Sequence, residues 1–166
     1  MNKLSVPIDL HNDVMSCLRQ YLLIASRFFN TIFAEPQIIY RNKGSIAGSA
    51  LLQQWQIQLN LAMLLDNHSQ FIDEVVPHEL AHLIVYQKFG HVKPHGKEWQ
   101  SVMTEVFKLA ARRTHTFRLP ESTIRQQYHY YCQCKNHLLT AIRHNKIRHH
   151  QAQYYCKNCR SLLQPK

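Results

Sequence analysis

Two groups of residues in this chain have the types and spacing for chemistry. The first is His78-Glu79-Leu80-Ala81-His82. On a helix, side chains four apart stand on one face, about one turn from each other. Two imidazoles placed that way can hold one Zn²⁺ at roughly 2.0–2.1 Å. Glu79, one position along, reaches a metal-bound water rather than the metal. That is the place of a general base in metal-assisted hydrolysis. The second group is Cys132-x-Cys134 with Cys156-x-x-Cys159. Four thiolates in two close pairs make a closed, structural tetrahedral zinc site. The expectation is two zinc ions, one catalytic and one structural.

A catalytic zinc takes a third protein ligand and keeps one position open. His95 is the first choice, because Pro94 and Gly96 beside it mark a turn leading into another helix. His91, Glu98 and Glu105 compete with it. The compact HExxHxxGxxH arrangement is excluded, since Val85 and Lys88 stand at its Gly and third-His positions. At the chain's own residue frequencies an HExxH arises by chance about 3% of the time. The apolar flanks Val75, Val76, Leu80, Leu83, Ile84 and Val85 favour a buried helix carrying a site over two exposed histidines. In the other group, the first cysteine pair is one residue shorter than the usual knuckle, and Lys135 follows it. His129 and His137 are the nearest substitutes if one thiolate does not bind. Cys17 reads as a core residue of the first helix.

These side chains need elements to hold them. From Ile8 to Phe29 the apolar residues Leu10, Val14, Leu18, Tyr21, Leu22, Ala25, Phe28 and Phe29 recur at helical spacing. Three β-like runs follow, Gln37–Arg41, Ser45–Leu52 and Trp55–Asn60, with a turn at Asn42-Lys43-Gly44. A small antiparallel sheet is the economical expectation. After Asp66-Asn67-His68-Ser69 the pattern is helical to Phe89, with Gly90 as its stop. Pro77 either kinks this helix or starts a new one. A third helical stretch runs from Gly96 or Lys97 to Arg113. The fold class is α+β: helix, small sheet, active-site helix and following helix, then a zinc-ribbon-like β module.

The charge of +10 is unevenly spread. Residues 1–110 hold nine Lys/Arg and nine Asp/Glu, whereas residues 111–166 hold eleven Lys/Arg against Glu121 alone. Six histidines, among them His115, lie in the same last third. A zinc ion on four thiolates would still leave that third at about +8. The expected division is therefore a neutral body, 1–118, and a basic module, 119–166, with the electrostatic footprint of a polyanion binder. Arg143, Lys146, Arg148, Lys157 and Arg160 are its candidate phosphate contacts. Tyr128, Tyr130, Tyr131, Tyr154 and Tyr155 are interleaved with them, two or three as exposed stacking rings and the rest as core. No run approaches the length of a membrane helix, the N-terminus does not read as a secretory signal, and five cysteines suit a reducing setting. A cytoplasmic monomer without membrane contact is the expectation.

The HExxH, the later His95-Gly96-x-x-Trp99 and the cysteine-rich end together resemble the SprT family of zinc metallopeptidases, which includes Spartan. The resemblance implies His78, His82 and His95 as zinc ligands, Glu79 as catalytic acid/base, and protein substrates associated with DNA. The alternatives are a non-catalytic zinc protein that binds nucleic acid and, further off, a small-molecule hydrolase.

Overall fold

A computed structural model describes residues 6–42, 44–114, 117 and 126–166. They fall into two compact units, one within Met1–Pro120 and one within Glu121–Lys166. The boundary expected between 118 and 119 lies outside the described residues, as does His115.

In the first unit, α1 (Ile8–Phe28) buries Leu10, Val14, Met15, Leu18, Leu22 and Ala25, an apolar stripe at steps of three and four. Phe28, expected in that stripe, is 57% exposed. The strands β1 (Gln37–Arg41), β2 (Gly48–Leu51) and β3 (Gln56–Asn60) form one sheet in the order β1-β3-β2. The sheet is mixed, which corrects the antiparallel expectation: β2 pairs antiparallel with β3, but β1 pairs parallel with it. The reason lies in the two connections. Trp55 takes φ 54° and closes a tight turn between β2 and β3. The segment after Arg41 instead carries the chain across the end of β3, so β3 slots between its predecessors. Asn60 holds that crossing: its Nδ2 donates to Gly44 O at 3.0 Å and Ile46 O at 3.4 Å. Of the turn expected there, Gly44 takes φ 104°, a value that favours glycine, and Lys43 lies outside the described residues.

The alternation read in β3 marks its inward face, Ile57 and Leu59. Gln58 and Asn60 are buried too, because a central strand is covered on both sides. Asn60 also caps the next helix, accepting from Met63 N–H at 3.2 Å. That element, α2 (Leu61–Phe89), is two helical stretches joined at a kink at His68 (φ 39°, ψ −116°); the second is the helix expected after Ser69, and the first was not expected. Pro77 lies in its interior, neither breaking it nor starting it. Gly90 ends it with φ 73°, its N–H bonded to Tyr86 O.

The following helix is shorter than the pattern to Arg113 predicts. It comprises α3 (Lys97–Ser101) and a π-helical turn over Val102–Val106, after which Lys108 takes φ 58°. The wider turn spoils the 3.6-residue period, and no glycine announces the stop.

The second unit has β4 (Gln127–Tyr131), β5 (Asn136–Thr140), α4 (Ala141–Arg148) and β6 (Gln164–Pro165), with strand order β5-β4-β6. Its core is Tyr130, Leu139, Cys156 and Leu163. Helix α4 buries no residue, so no apolar stripe signals it in the sequence. Among the described residues, no helix is long and apolar enough to cross a membrane.

Candidate metal centres and the cleft

Helix α2 presents His78, Glu79 and His82 from its buried part; His78 is 5% and Glu79 6% exposed. His95 joins them from the loop before α3, with φ 54°. Its Nε2 lies 3.0 Å from His78 Nε2 and 3.1 Å from His82 Nε2. The loop is fixed on both sides of it. Gly96 N–H bonds Lys93 O at 2.9 Å, and Gln100 Nε2 donates to His95 O at 3.0 Å. A Cβ on Gly96 would lie 2.7 Å from Lys93 O, so this turn excludes a side chain.

The three competitors stand apart from this cluster. His91 packs its ring on Tyr86, Glu105 accepts from Ser101 Oγ, and Glu98 Oε2 lies beside Gly96. Trp99 closes the site from below. It is buried, its Nε1 donates to His78 O at 3.3 Å, and its ring is 4.7, 5.5 and 4.7 Å from those of His78, His82 and His95. In the sequence Trp99 was visible only as the end of a motif, with no sign that it supports all three imidazoles.

A cleft of about 380 Å³ opens above, with Gly48, Ser49 and Ala50 of β2 on one side and His78, Glu79, His82 and His95 on the other; Arg113 stands at its edge. Burial pushes Glu79 up to about 8, opposed by a hydrogen bond from the Ala50 backbone N–H. Burial first, and His95 second, pushes His82 down to about 4. A neutral imidazole at pH 7 offers its lone pair to a metal. Three Nε2 atoms around a tetrahedral zinc would stand roughly 3.3 Å apart, given Zn–N bonds of about 2.0–2.1 Å. The observed separations, the nitrogen donors and the open side toward the cleft fit such an ion.

A model of the SprT-like family matches residues 18–123. The chain belongs to the SprT-like family. It is 48% identical to Protein SprT of Yersinia pseudotuberculosis serotype O:1b (strain IP 31758) over 164 residues, 99% of this chain and 96% of that one. Against Protein SprT of Photorhabdus laumondii subsp. laumondii it is 48% identical over 159 residues, 96% of this chain and 81% of the relative. Against Protein SprT of Serratia proteamaculans (strain 568) the identity is 46%, covering 96% and 93%. No solved structure gives a significant match.

The second cluster of this SprT-like chain is Cys132, Cys134, Cys156 and Cys159, whose sulfurs all lie within 4.8 Å of one another. Cys132 and Cys134 Sγ are 3.4 Å apart, and Cys134 and Cys156 Sγ 3.7 Å. The short first knuckle closes without glycine: Cys132 N–H bonds Lys135 O at 3.1 Å. Arg160 takes φ 58° in the second, its N–H bonded to Cys156 O. The Ser161 hydroxyl, 2.9 Å from Cys159 Sγ, and the Ser161 N–H hold that thiol down at about 6. A thiol ionised at neutral pH is ready to ligate. His137 does not replace a cysteine; its Nε2 lies 3.1 Å from Cys132 Sγ, where it can orient the ligand. His129 stands outside the cluster. Cys17 belongs to neither cluster; it donates to Ile72 O and is pushed by burial up to about 12.

Arg143, Lys146 and Arg148 are exposed on α4, and Lys157 and Arg160 are exposed around the second cysteine pair. Of the five tyrosines, Tyr131 and Tyr155 are exposed and Tyr130 is core. Tyr128 stacks on His144 at 3.7 Å, and Tyr154 lies under Arg143, 5.6 Å from its guanidinium.

Proposed function

We propose that this SprT-like chain is a zinc-dependent endopeptidase acting on DNA-associated proteins, with His78, His82 and His95 as ligands and Glu79 as general base. The observation that carries the reading is the cleft itself, where three convergent imidazole nitrogens and one buried carboxylate face the same open space. Bound there, zinc supplies Lewis acidity, making a water more acidic and a carbonyl more electrophilic. Glu79 accepts the proton as the water oxygen bonds to the peptide carbonyl carbon. It then returns that proton to the amine nitrogen as the C–N bond breaks. The Ala50 N–H keeps the carboxylate aimed into the cleft, and Trp99 keeps the imidazoles from turning. A purely structural metal site takes four protein ligands, so three ligands beside a carboxylate favour catalysis over the non-catalytic alternative.

The four cysteines would hold a second, structural zinc that shapes the basic module. Its exposed cations would track phosphates, and Tyr131 and Tyr155 would stack on unpaired bases. Thiols kept as ligands suit a reducing, cytoplasmic setting. The test is cleavage of a DNA-binding protein by wild type and by Glu79→Gln, each with and without single-stranded DNA. Cleavage by wild type alone, increased by DNA, is expected. Cleavage by both proteins, or indifference to DNA, would count against the mechanism or the partner respectively.

A further inference from the structure

Gly48 faces the Glu79 carboxylate, and what it contributes is the side chain it lacks. We infer that Gly48 is a positioning residue for the general base, an inference that rests on the peptidase reading above. A Cβ built on Gly48 would lie 2.6 Å from Val75 Cγ1, 2.8 Å from Glu79 Cγ and 2.9 Å from Glu79 Oε1. Non-bonded carbons sit comfortably at about 3.5–4.0 Å, so a methyl group there must displace Glu79, Val75 or the strand. Gly48 is not among the residues with positive φ. The demand is for space, not for a backbone conformation that only glycine adopts.

The geometry of β2 explains why the approach is so close. Asn60 N–H bonds Ala47 O, and Gly48 and Ala50 stand opposite Leu59 and Ile57. In an antiparallel pair the hydrogen-bonded positions alternate, so the amides of Gly48 and Ala50 point away from β3. At position 50 that amide bonds the Glu79 carboxylate; at position 48 the missing side chain admits the rest of the glutamate. One strand thus supplies both the donor that holds Glu79 and the gap in which it lies. Filling the gap would move the carboxylate off the Ala50 N–H and away from the line of the attacking water. A displacement of about 1 Å at a reacting group costs on the order of a hundredfold in rate.

The experiment compares Gly48→Ala with wild type in hydrolysis, zinc content and melting temperature, and repeats the melting comparison in a Glu79→Ala background. Expected for Gly48→Ala are a kcat lower by about a hundredfold, KM within about twofold and unchanged zinc content. The drop in melting temperature should also shrink once Glu79 is truncated, because two of the three close contacts disappear. A kcat within about threefold of wild type would overturn the proposal. So would loss of the histidine-bound zinc, or an equal melting penalty in both backgrounds. If Gly48→Ala does not fold, Gly48→Ala/Val75→Ala relieves the contact with Val75 and leaves the one with Glu79 to be read. Should wild type hydrolyse nothing, the peptidase reading falls. The melting comparison still decides whether Gly48 makes room for Glu79.

Discussion

Burial pushes Glu79 up to about 8 and His82 down to about 4, and these shifts act on stability with opposite signs. A carboxyl whose folded pKa exceeds its unfolded one keeps a proton the unfolded chain has lost. Stability therefore falls as pH rises from about 4.5 to about 8. For His82 the unfolded chain binds the extra proton, so stability is lost as pH falls from about 6.5 toward 4. The two oppose each other below pH 6.5, and above it only Glu79 remains. In zinc-free protein, the penalty from Glu79 should grow by up to about 2 kcal/mol between pH 6.5 and 8. Urea titrations of wild type and Glu79→Gln would show the gap between them changing across that window; a constant gap would contradict the assignment. At this scale the sequence was readable where spacing alone determines geometry, as for His78, Glu79 and His82. His95 was the first choice over His91, Glu98 and Glu105 because of the turn residues beside it, but its position depends on the Lys93–Gly96 turn and on a left-handed backbone, which spacing alone does not show. Gly48 and Ala50 were invisible for a related reason: their contacts with Glu79 join residues about thirty apart.

Asn60 does three jobs at the junction of elements. It ends the central strand, caps α2 and holds the crossing segment by two carbonyls. Replacing it with alanine removes a cap worth about 1 kcal/mol and two hydrogen bonds of about 1 kcal/mol each. A loss of about 2–3 kcal/mol is expected, with lower activity, because the Ile46–Gly48 wall of the cleft hangs from the same crossing. Denaturation of the zinc-loaded protein checks this; a loss below about 0.5 kcal/mol would mean that the crossing is held by something else. The strands themselves were legible from alternation and turn residues, but strand order was not. Sequence neighbours usually pair, and nothing local reveals that the chain passes over β3's place before filling it. The early end of α3 was hidden similarly, since a π-helical turn has no glycine or proline to mark it. Helix α4 has no fully buried residue, and its inward face is only the half-buried Ala141, His144 and Ile147, too short and mixed a stripe to stand out in the sequence.

Across the whole molecule, the described residues form two compact units, and the excess positive charge lies in the last third of the sequence. Two candidate metal-binding clusters, one in each unit, lead to a further expectation. Wild type should carry two zinc ions per chain and Cys156→Ser one. The variant should lose single-stranded DNA affinity while still hydrolysing a short peptide. Metal analysis with a binding titration would test it, and loss of both ions together would show the centres to be interdependent. DNA binding by wild type should weaken steeply as salt rises, because each neutralised phosphate releases counterions.

The central claim is that Glu79 acts on water at the three-histidine centre, and the most direct measurement is peptide hydrolysis by wild type and Glu79→Gln with zinc determined on the same samples. Equal zinc and a rate lower by about a thousandfold in the variant are predicted, within the range of general acid–base contributions. Equal zinc with a rate within about threefold of wild type would contradict it.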